Sequence, residues 1–464
     1  MREGFDWDNR RLQYPLLKKH INVRVSRGRF IVSNCRTGES NLEDKRKFVL
    51  LLLCNGVRTL EEMIEIYRGI FEASTEEAEE QVQETLNKYA GEVAFYRSAQ
   101  KERNIFDLAR LKTSALWEYS PLRDAYPYRL TLALTQYCNH KCDYCFNSCD
   151  SSRKQEVKAE EWIRVIEQAH AIGVQEITFT GGEPFLYKDF LRLIAFCSEK
   201  GIYVKISTNG TLLDEGMVRA LRRAGAEYIH VSLPAVTETV YDKITESRQD
   251  LEKVKRAVRL LKQYGFYIRV KMVLTPNNEN EVEGLLAFCA AEGVDFVHLA
   301  PYVLTENSRG GRSLLLREDA LKKVQRTAEA GRKMYSGMSM SEIPDVCGRW
   351  SGPQDIAKCG GIKDSLTILS DGRITFCEAL GGLDEFVLGR IQENSLEEIW
   401  SSYKPDRITC PDNRALDADC AECEFLERCQ TGCFVFSHMQ TGNPWSMDPR
   451  CFRFSGAHNI FDGE

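Results

Sequence analysis

Residues 128–145 read YRLTLALTQYCNHKCDYC. The run Leu130–Thr135 has the residue types of a strand, and it ends on a short loop that carries Cys138, Cys142 and Cys145 in the spacing C-x3-C-x2-C. Three thiolates on one loop can each hold an iron of a cubane and leave its fourth iron open. Iron–sulfur clusters ordinarily take four cysteines. A missing fourth ligand points to a position kept for something else, as the open position does in catalytic zinc sites. Spacing alone leaves a second reading, a zinc ion with a remote fourth ligand from His140 or Cys149.

Downstream of this loop the chain alternates strand and helix. Strands are predicted to begin near Leu130, Glu176, Ile202, Tyr228, Tyr267 and Val294. The segment Lys158–Ile172 places Trp162, Ile166 and Ala169 on one helical face, and Asp189–Lys200 does the same with Phe190, Leu193, Ile194 and Cys197. Gly173, Gly201, Gly225 and Gly265 sit just past helix ends, where a left-handed residue is wanted. Six such units over residues 128–305 predict an α/β fold with a parallel sheet, open or curved into a partial (β/α)6 TIM-like barrel. Ligands in such folds bind at the carboxyl ends of the strands. The second strand ends in Gly181-Gly182-Glu183-Pro184, where paired glycines permit close backbone approach and a carboxylate can meet an ammonium. The third ends in Ser207-Thr208-Asn209-Gly210 and the fourth in Ser232.

The whole chain has 464 residues and a formal net charge of −6, which disfavours nucleic-acid binding through bulk basicity. Its longest apolar run, Phe48–Cys54, has seven residues, far short of the ~20 of a membrane span. The start MREGFDWDNRR lacks the apolar stretch of a signal peptide. The 17 cysteines against 7 histidines are expected as reduced thiolates in a cytoplasmic protein, and thiolates in such numbers mean metal. Cys54, Cys197 and Cys289 fall on apolar helix faces and read as packing residues.

Residues 1–97 open with INVRVS and RFIVSN around Arg27-Gly28, a hairpin signal. Helices are predicted at Lys45–Cys54, after Thr59 with Glu62 completing a capping box, and at Thr75–Ala90. Strands followed by three short helices read as a winged-helix-like domain. Its helices carry Glu61, Glu62, Glu65, Glu76, Glu77, Glu79, Glu80 and Glu84, a surface that would repel phosphates. Charged stretches at 98–127 and 306–346 are expected to link this domain, the barrel and a Cys-rich region at 347–455.

On these motifs, residues 128–305 resemble the radical S-adenosylmethionine (SAM) superfamily. The resemblance implies that Cys138, Cys142 and Cys145 hold a [4Fe-4S] cluster and that SAM chelates its open iron. It implies that Gly181, Gly182 and Glu183 hold the methionyl amine, that Asn209 and Ser232 face the cofactor, and that Arg248 can pair with the carboxylate. Ser232 is followed here by Leu233-Pro234-Ala235 rather than the Asp-Gly frequent in relatives. The C-terminal pattern, Cys359, Cys377, then Cys420-x2-Cys423-x5-Cys429-x3-Cys433 and Cys451, resembles the SPASM domain of peptide-modifying radical SAM enzymes. That resemblance implies two auxiliary iron–sulfur clusters of [4Fe-4S] type. Cys420, Cys423, Cys429 and Cys451 would hold one. Cys359, Cys377 and Cys433 would hold the other, with Cys347 or Cys410 as candidate fourth ligands or an open iron. Glu378, after Cys377, matches an acid that serves relatives as general base.

The N-terminal domain resembles the peptide-recognition element fused to maturases of ribosomally synthesised peptides (RiPPs), where a leader peptide adds as a strand to an exposed sheet edge. Together these resemblances imply an enzyme that generates a 5′-deoxyadenosyl radical and cross-links a precursor peptide, forming a cysteine thioether to an unactivated carbon. They imply an electron donor of flavodoxin or ferredoxin type, and no nucleic-acid or membrane partner. C–C cross-linking and side-chain oxidation of the sulfatase-maturase kind are the alternatives within the chemistry. A zinc-binding winged-helix regulator is the alternative outside it.

Overall fold

The computed structural model describes residues 11–26, 29–37, 39–100, 126–147, 149, 156–305, 308–341, 364–381, 383–402, 418–424, 426, 432–443, 446–448 and 451. Cys347, Cys359, Cys410 and Cys429 lie outside the described residues. None of the described helices is long and apolar enough to cross a membrane.

The N-terminal unit begins with β1 (Tyr14–Leu17), followed by an antiparallel sheet of β2 (Ile21–Ser26), β3 (Arg29–Asn34) and β4 (Ser40–Glu43). Helices α1 (Lys45–Leu53), α2 (Leu60–Phe71) and α3 (Thr75–Lys88) follow. Their starts are set by side-chain caps. Asp44 accepts from the Lys47 N–H, Thr59 and Glu62 form the expected capping box, and Ser74 and Glu77 form another. All six residues Phe48–Leu53 of α1 are buried, so this helix is the unit's core and not a surface element. The last strand, β5 (Val93–Tyr96), returns to pair antiparallel with β1. This clasp was not anticipated, because strands some eighty positions apart leave no local turn signal.

Six parallel strands follow in sequential order: β6 (Arg129–Ala133), β7 (Glu176–Thr180), β8 (Tyr203–Thr208), β9 (Tyr228–Ser232), β10 (Tyr267–Leu274) and β11 (Phe296–Pro301). Between them run α4 (Ala159–Ala171), α5 (Phe190–Glu199), α6 (Glu215–Arg223), α7 (Glu238–Thr245), α8 (Leu251–Gln263) and α9 (Val282–Ala291). The starts match the expected units to within two residues. Gly173 and Gly225 adopt φ of 91° and 90° at helix ends, as expected. Along β10, Ile268, Val270, Met272 and Leu274 are buried in the helix-facing core, while the alternate residues Lys271 and Val273 line a cavity on the other face. Cys54, Cys197 and Cys289 are buried as packing residues.

The expected link at 306–346 needs correction. It contains α10 (Glu318–Met334), whose Leu321, Val324 and Ala328 join the barrel core, and β12 (Ser339–Met340), which pairs parallel with β11. Charges on the solvent face of α10 mask its narrow apolar stripe in the sequence. On the sheet's opposite side β13 (Ser365–Ile368) pairs parallel with β6, and β14 (Arg373–Thr375) and β15 (Gly389–Arg390) continue antiparallel. Within the Cys-rich region, residues 365–390 thus extend the barrel sheet directly. Helix α11 (Leu396–Ser402) seals it against α4, with the Leu396 N–H donating to Gln168 Oε1 at 3.0 Å.

The N-terminal unit docks on the barrel floor, at the amino ends of the strands. Gln175, just before β7, accepts from the Val23 N–H at 3.1 Å and donates to the Val23 carbonyl at 2.7 Å. Arg36 pairs with Glu227 at 2.8 Å, before β9, and Arg24 stacks over the Tyr128 ring at 3.9 Å, before β6.

Candidate active site

A cavity of about 350 Å³ opens at the carboxyl ends of the strands, within the size range of small-molecule sites. Cys138, Cys142 and Cys145 all line it, with Thr180, Gly181 and Gly182 from the end of β7, Asn209 from β8 and Ser232 from β9. Glu378 enters from the C-terminal region. Among the described residues no three His, Cys, Asp or Glu side chains gather closely enough for one metal ion. Three thiols spread along one cavity wall suit a cubane, whose irons each take one thiolate.

The cysteine loop is clamped by several strand ends. The N–H groups of Gly182 and Glu183 donate to the carbonyls of Thr135 and Tyr137 at 2.6 and 2.9 Å. Lys141 and Asp143 N–H groups donate to the carbonyls of Thr245 and Ile244, each at 3.0 Å. Asn209 Nδ2 donates to Asn139 Oδ1 at 2.8 Å, and Asn277 to Asp143 at 2.8 Å. From beyond β11, Thr305 donates to the Phe146 carbonyl at 3.0 Å, Gly310 to that of Asp143 at 3.0 Å, and Arg309 to that of Cys149 at 3.3 Å.

The paired glycines have a packing reason. A Cβ at Gly181 would lie 2.4 Å from the Thr135 carbonyl oxygen, and one at Gly182 would lie 2.2 Å from that of Tyr137. Gly181 also has φ of 136°. Glycine here lets β7 press against the cysteine loop. Glu183 is 0% exposed and lies behind the cavity wall. Its Oε1 accepts from Thr208 Oγ1 at 2.8 Å and the Phe185 N–H at 3.3 Å, and its Oε2 accepts from the Asn209 N–H at 2.8 Å. Burial pushes its carboxyl up to about 7. Glu183 therefore ties the β7 and β8 tips together, and the surface facing the cavity is Thr180-Gly181-Gly182. Arg248 is exposed and not among the lining residues.

The three thiols are electrically unequal. Burial pushes Cys138 up to about 12 and raises Cys142 further. Cys145 is lowered to about 6, chiefly by a hydrogen bond from the Cys149 thiol. His140 does not act as a free ligand. Its buried ring bonds Asp250 at 3.1 Å, and burial lowers its pKa.

Glu378 accepts from Asn147 Nδ2 at 2.6 Å, and burial pushes its carboxyl up to about 7. Lys271 and His230, which the sequence did not single out, line the same cavity. Burial lowers the pKa of both, and Arg269 beside Lys271 adds to that effect. Their alternation with buried core residues on β9 and β10 was the available signal. Further along the chain, the Cys423 N–H donates to the Cys420 carbonyl at 3.1 Å. Cys433 precedes α12 (Phe434–Thr441), its N–H donating to the buried Asp448 carboxylate at 2.7 Å.

The donor set and the shape of the cavity fit the expected group. Three thiols line it, the glycine pair and Thr180, Ser207, Asn209 and Ser232 supply small and polar surface, Phe146, Tyr241, Val273 and Val303 supply apolar wall, and Lys271 is a cation within reach.

Comparison with known proteins agrees. Residues 132–289 match the family model for the radical SAM superfamily, and residues 359–424 match that for the SPASM iron–sulfur cluster-binding domain. A PqqA peptide cyclase from Granulibacter bethesdensis is 28% identical over 342 residues, 72% of this chain and 90% of the relative. An Fe-coproporphyrin III synthase from Methanosarcina barkeri is 26% identical over 346 residues, 69% of this chain and 86% of the relative. The crystal structure of Streptococcus suis SuiB bound to S-adenosylmethionine shares the fold, with a TM-score of 0.71 at 20% identity, covering 94% of this chain and 100% of that one. SuiB has also been solved bound to its precursor peptide SuiA. Residues 132–289 thus form a radical SAM domain and residues 359–424 a SPASM iron–sulfur cluster-binding domain, the pair expected of a radical SAM peptide-modifying enzyme.

Proposed function

We propose that this enzyme matures a ribosomally synthesised precursor peptide by forming a cross-link, a cysteine thioether to an unactivated carbon. The observation that carries this reading is the convergence of the Cys138/Cys142/Cys145 loop and Glu378 on one cavity. Radical generation and a base from the Cys-rich domain then act on the same small volume. Peptide-processing relatives support the substrate class.

When bound, a reduced [4Fe-4S] cluster with SAM supplies a 5′-deoxyadenosyl radical able to take hydrogen from an unactivated C–H bond. The chain's own residues do the rest. Thr180-Gly181-Gly182, Asn209 and Ser232 orient the cofactor, with Lys271 as the cation available to its carboxylate. Asn147 holds Glu378, whose raised pKa leaves it able to accept the thiol proton of the substrate near neutral pH. Cys377, Cys420, Cys423, Cys433 and Cys451, among the described residues, would hold auxiliary iron–sulfur clusters, which would supply an acceptor for the electron left by bond formation. A flavodoxin- or ferredoxin-like protein of the cytoplasm is the reductant.

The N-terminal unit holds the leader. The β2 edge is occupied at Val23 by Gln175, so β4 offers the edge for strand addition. Leu42 on β4 is 61% exposed, an apolar anchor on an otherwise polar edge.

The test is coexpression with candidate cysteine-bearing precursor peptides, followed by mass spectrometry. Loss of two hydrogens with a cysteine that resists alkylation supports the thioether. Loss of two hydrogens with a free cysteine favours C–C cross-linking, and a carbonyl product favours side-chain oxidation.

A further inference from the structure

Charge is spread unevenly over this chain of net −6. Residues 308–334, from the loop after β11 to the end of α10, carry eight Lys and Arg against three Asp and Glu. Two of the three acids, Glu318 and Asp319, open the first turn of α10, where the helix dipole favours them. The cations Arg309, Arg312, Arg317, Lys322, Lys323 and Arg326 are all exposed. The side chains of Arg312 and Arg326 make no hydrogen bond or ion pair with any described residue. Arg317 stands 3.8 Å from Asp319 with 83% of its side chain in solvent.

This basic stretch lies against the cysteine loop. The Gly310 N–H donates to the carbonyl of Asp143, between Cys142 and Cys145, while Arg309 and Thr305 bond the carbonyls of Cys149 and Phe146. Lys323 bonds Asn280, in the loop beyond the carboxyl end of β10. Helix α10 then descends the barrel until Arg332 donates to the Ser341 carbonyl, next to β12. Arg317 to Arg326 therefore stand at the cavity end, on the side of α10 opposite its buried Leu321, Val324 and Ala328. The cavity side of the cysteine loop belongs to cofactor and substrate. The N-terminal unit, with its glutamate-rich α2 and α3, docks at the far end of the barrel.

We propose that the solvent face of residues 309–326 is the docking surface for an acidic one-electron carrier protein that reduces the cluster held by Cys138, Cys142 and Cys145. In each encounter the carrier loses one electron and the cluster gains it, and no bond is made or broken. A positive face on a negative molecule draws in and orients a negative partner. Electron transfer needs the two redox groups close together, and this face is bonded directly to the ligand loop. Redox encounters bury less than about 1,200 Å², an area that one helix and its leading loop can supply. The inference rests on the cluster assignment and on the class of reductant proposed above, and not on the identity of the peptide.

The experiment compares anaerobically reconstituted full-length wild type with Arg312→Glu/Arg326→Glu and with Arg223→Glu/Arg256→Glu, a matched reversal at exposed positions of α6 and α8. Formation of 5′-deoxyadenosine is followed with reduced flavodoxin, with reduced ferredoxin and with titanium(III) citrate. Binding is read separately, as hydrogen-exchange protection of residues 308–326 when carrier is added. With a carrier as reductant, Arg312→Glu/Arg326→Glu should be slower by about tenfold or more, the low end of electrostatic steering. The wild-type rate should fall as salt is raised. With titanium(III) citrate all three proteins should react alike. Protection should appear in wild type and vanish in Arg312→Glu/Arg326→Glu. An unchanged carrier-driven rate in that variant, an equal loss in both variants, an equal loss with titanium(III) citrate, or protection elsewhere overturns the proposal. So does protection by duplex DNA or RNA with none by either carrier, which would give the face to a nucleic acid. A wild type that forms no deoxyadenosine with any reductant overturns the cluster assignment instead, while exchange protection still decides the docking face.

Discussion

At the residue scale the tightest constraint is on Gly182, because a methyl group there has no room beside the Tyr137 carbonyl. Gly182→Ala should destabilise by about 1–3 kcal/mol, as overpacking does, and displace the cysteine loop. The checks are a thermal melt and iron content, with Gly91→Ala, which meets no neighbour, as the control. Glu183→Gln puts an amide where only donors approach, and a mispaired buried group costs about 1–3 kcal/mol. The wild-type carboxyl, raised to about 7, adds a sign. Its proton-linked stabilisation is full below the ordinary 4.5 and is lost as pH rises through about 7. The melting temperature of the unloaded wild type should carry that decline, and Glu183→Gln should lack it. If Glu378 is the base, turnover should rise with pH through about 7, and Glu378→Gln should remove the rise and slow turnover by ~10²–10⁴-fold. The cysteines, the glycine pair and Glu378 were legible because their chemistry is tied to short spacings. Asn147 was not, since its bond to Glu378 arises only when chain segments more than two hundred residues apart are brought together. Lys271 and His230 were hidden as polar positions of otherwise ordinary strands.

At the element scale, β2 and β4 have different fates. The Gln175 side chain imitates a neighbouring strand at Val23, so Gln175→Ala leaves two buried backbone groups unpaired. It should loosen the N-terminal unit by roughly 1–3 kcal/mol per orphaned group, seen as faster hydrogen exchange in β2 with the barrel strands unchanged. Leu42→Asp on the β4 edge should leave stability within about 0.5 kcal/mol, as exposed substitutions usually do, while weakening capture of the leader peptide. Tm and leader-binding titrations separate the two effects. The Thr59/Glu62 capping box made α2 readable to the residue at its start. Helix α10 was missed because Leu321, Val324 and Ala328 are a sparse stripe among charges. The extension of the barrel sheet by β13 and β14 was missed because strand pairing across more than two hundred residues has no local signature.

At the scale of the whole molecule, the N-terminal unit and the cavity occupy opposite ends of the barrel. Gln175, Glu227 and Tyr128 meet the unit at the amino ends of the strands, while the cysteines and Ser232 line the cavity at the carboxyl ends. The strands between them run up to the eight residues of β10, a height of roughly 26 Å at ~3.3 Å per residue. An extended peptide needs at least about eight residues to cover that distance. Precursors with a shorter spacer between leader and modified residue should bind with unchanged affinity yet remain unmodified by mass spectrometry. The barrel was legible from the motifs, but this separation was not, because docking depends on side chains such as Gln175 that carry no motif. The most direct check of the radical SAM assignment is to reduce anaerobically reconstituted protein in the presence of SAM and quantify products. Formation of 5′-deoxyadenosine and methionine is expected, abolished in Cys145→Ala while auxiliary iron is retained. Wild-type protein without iron-dependent visible absorbance and without deoxyadenosine, or a Cys145→Ala variant that still forms it, would contradict the assignment.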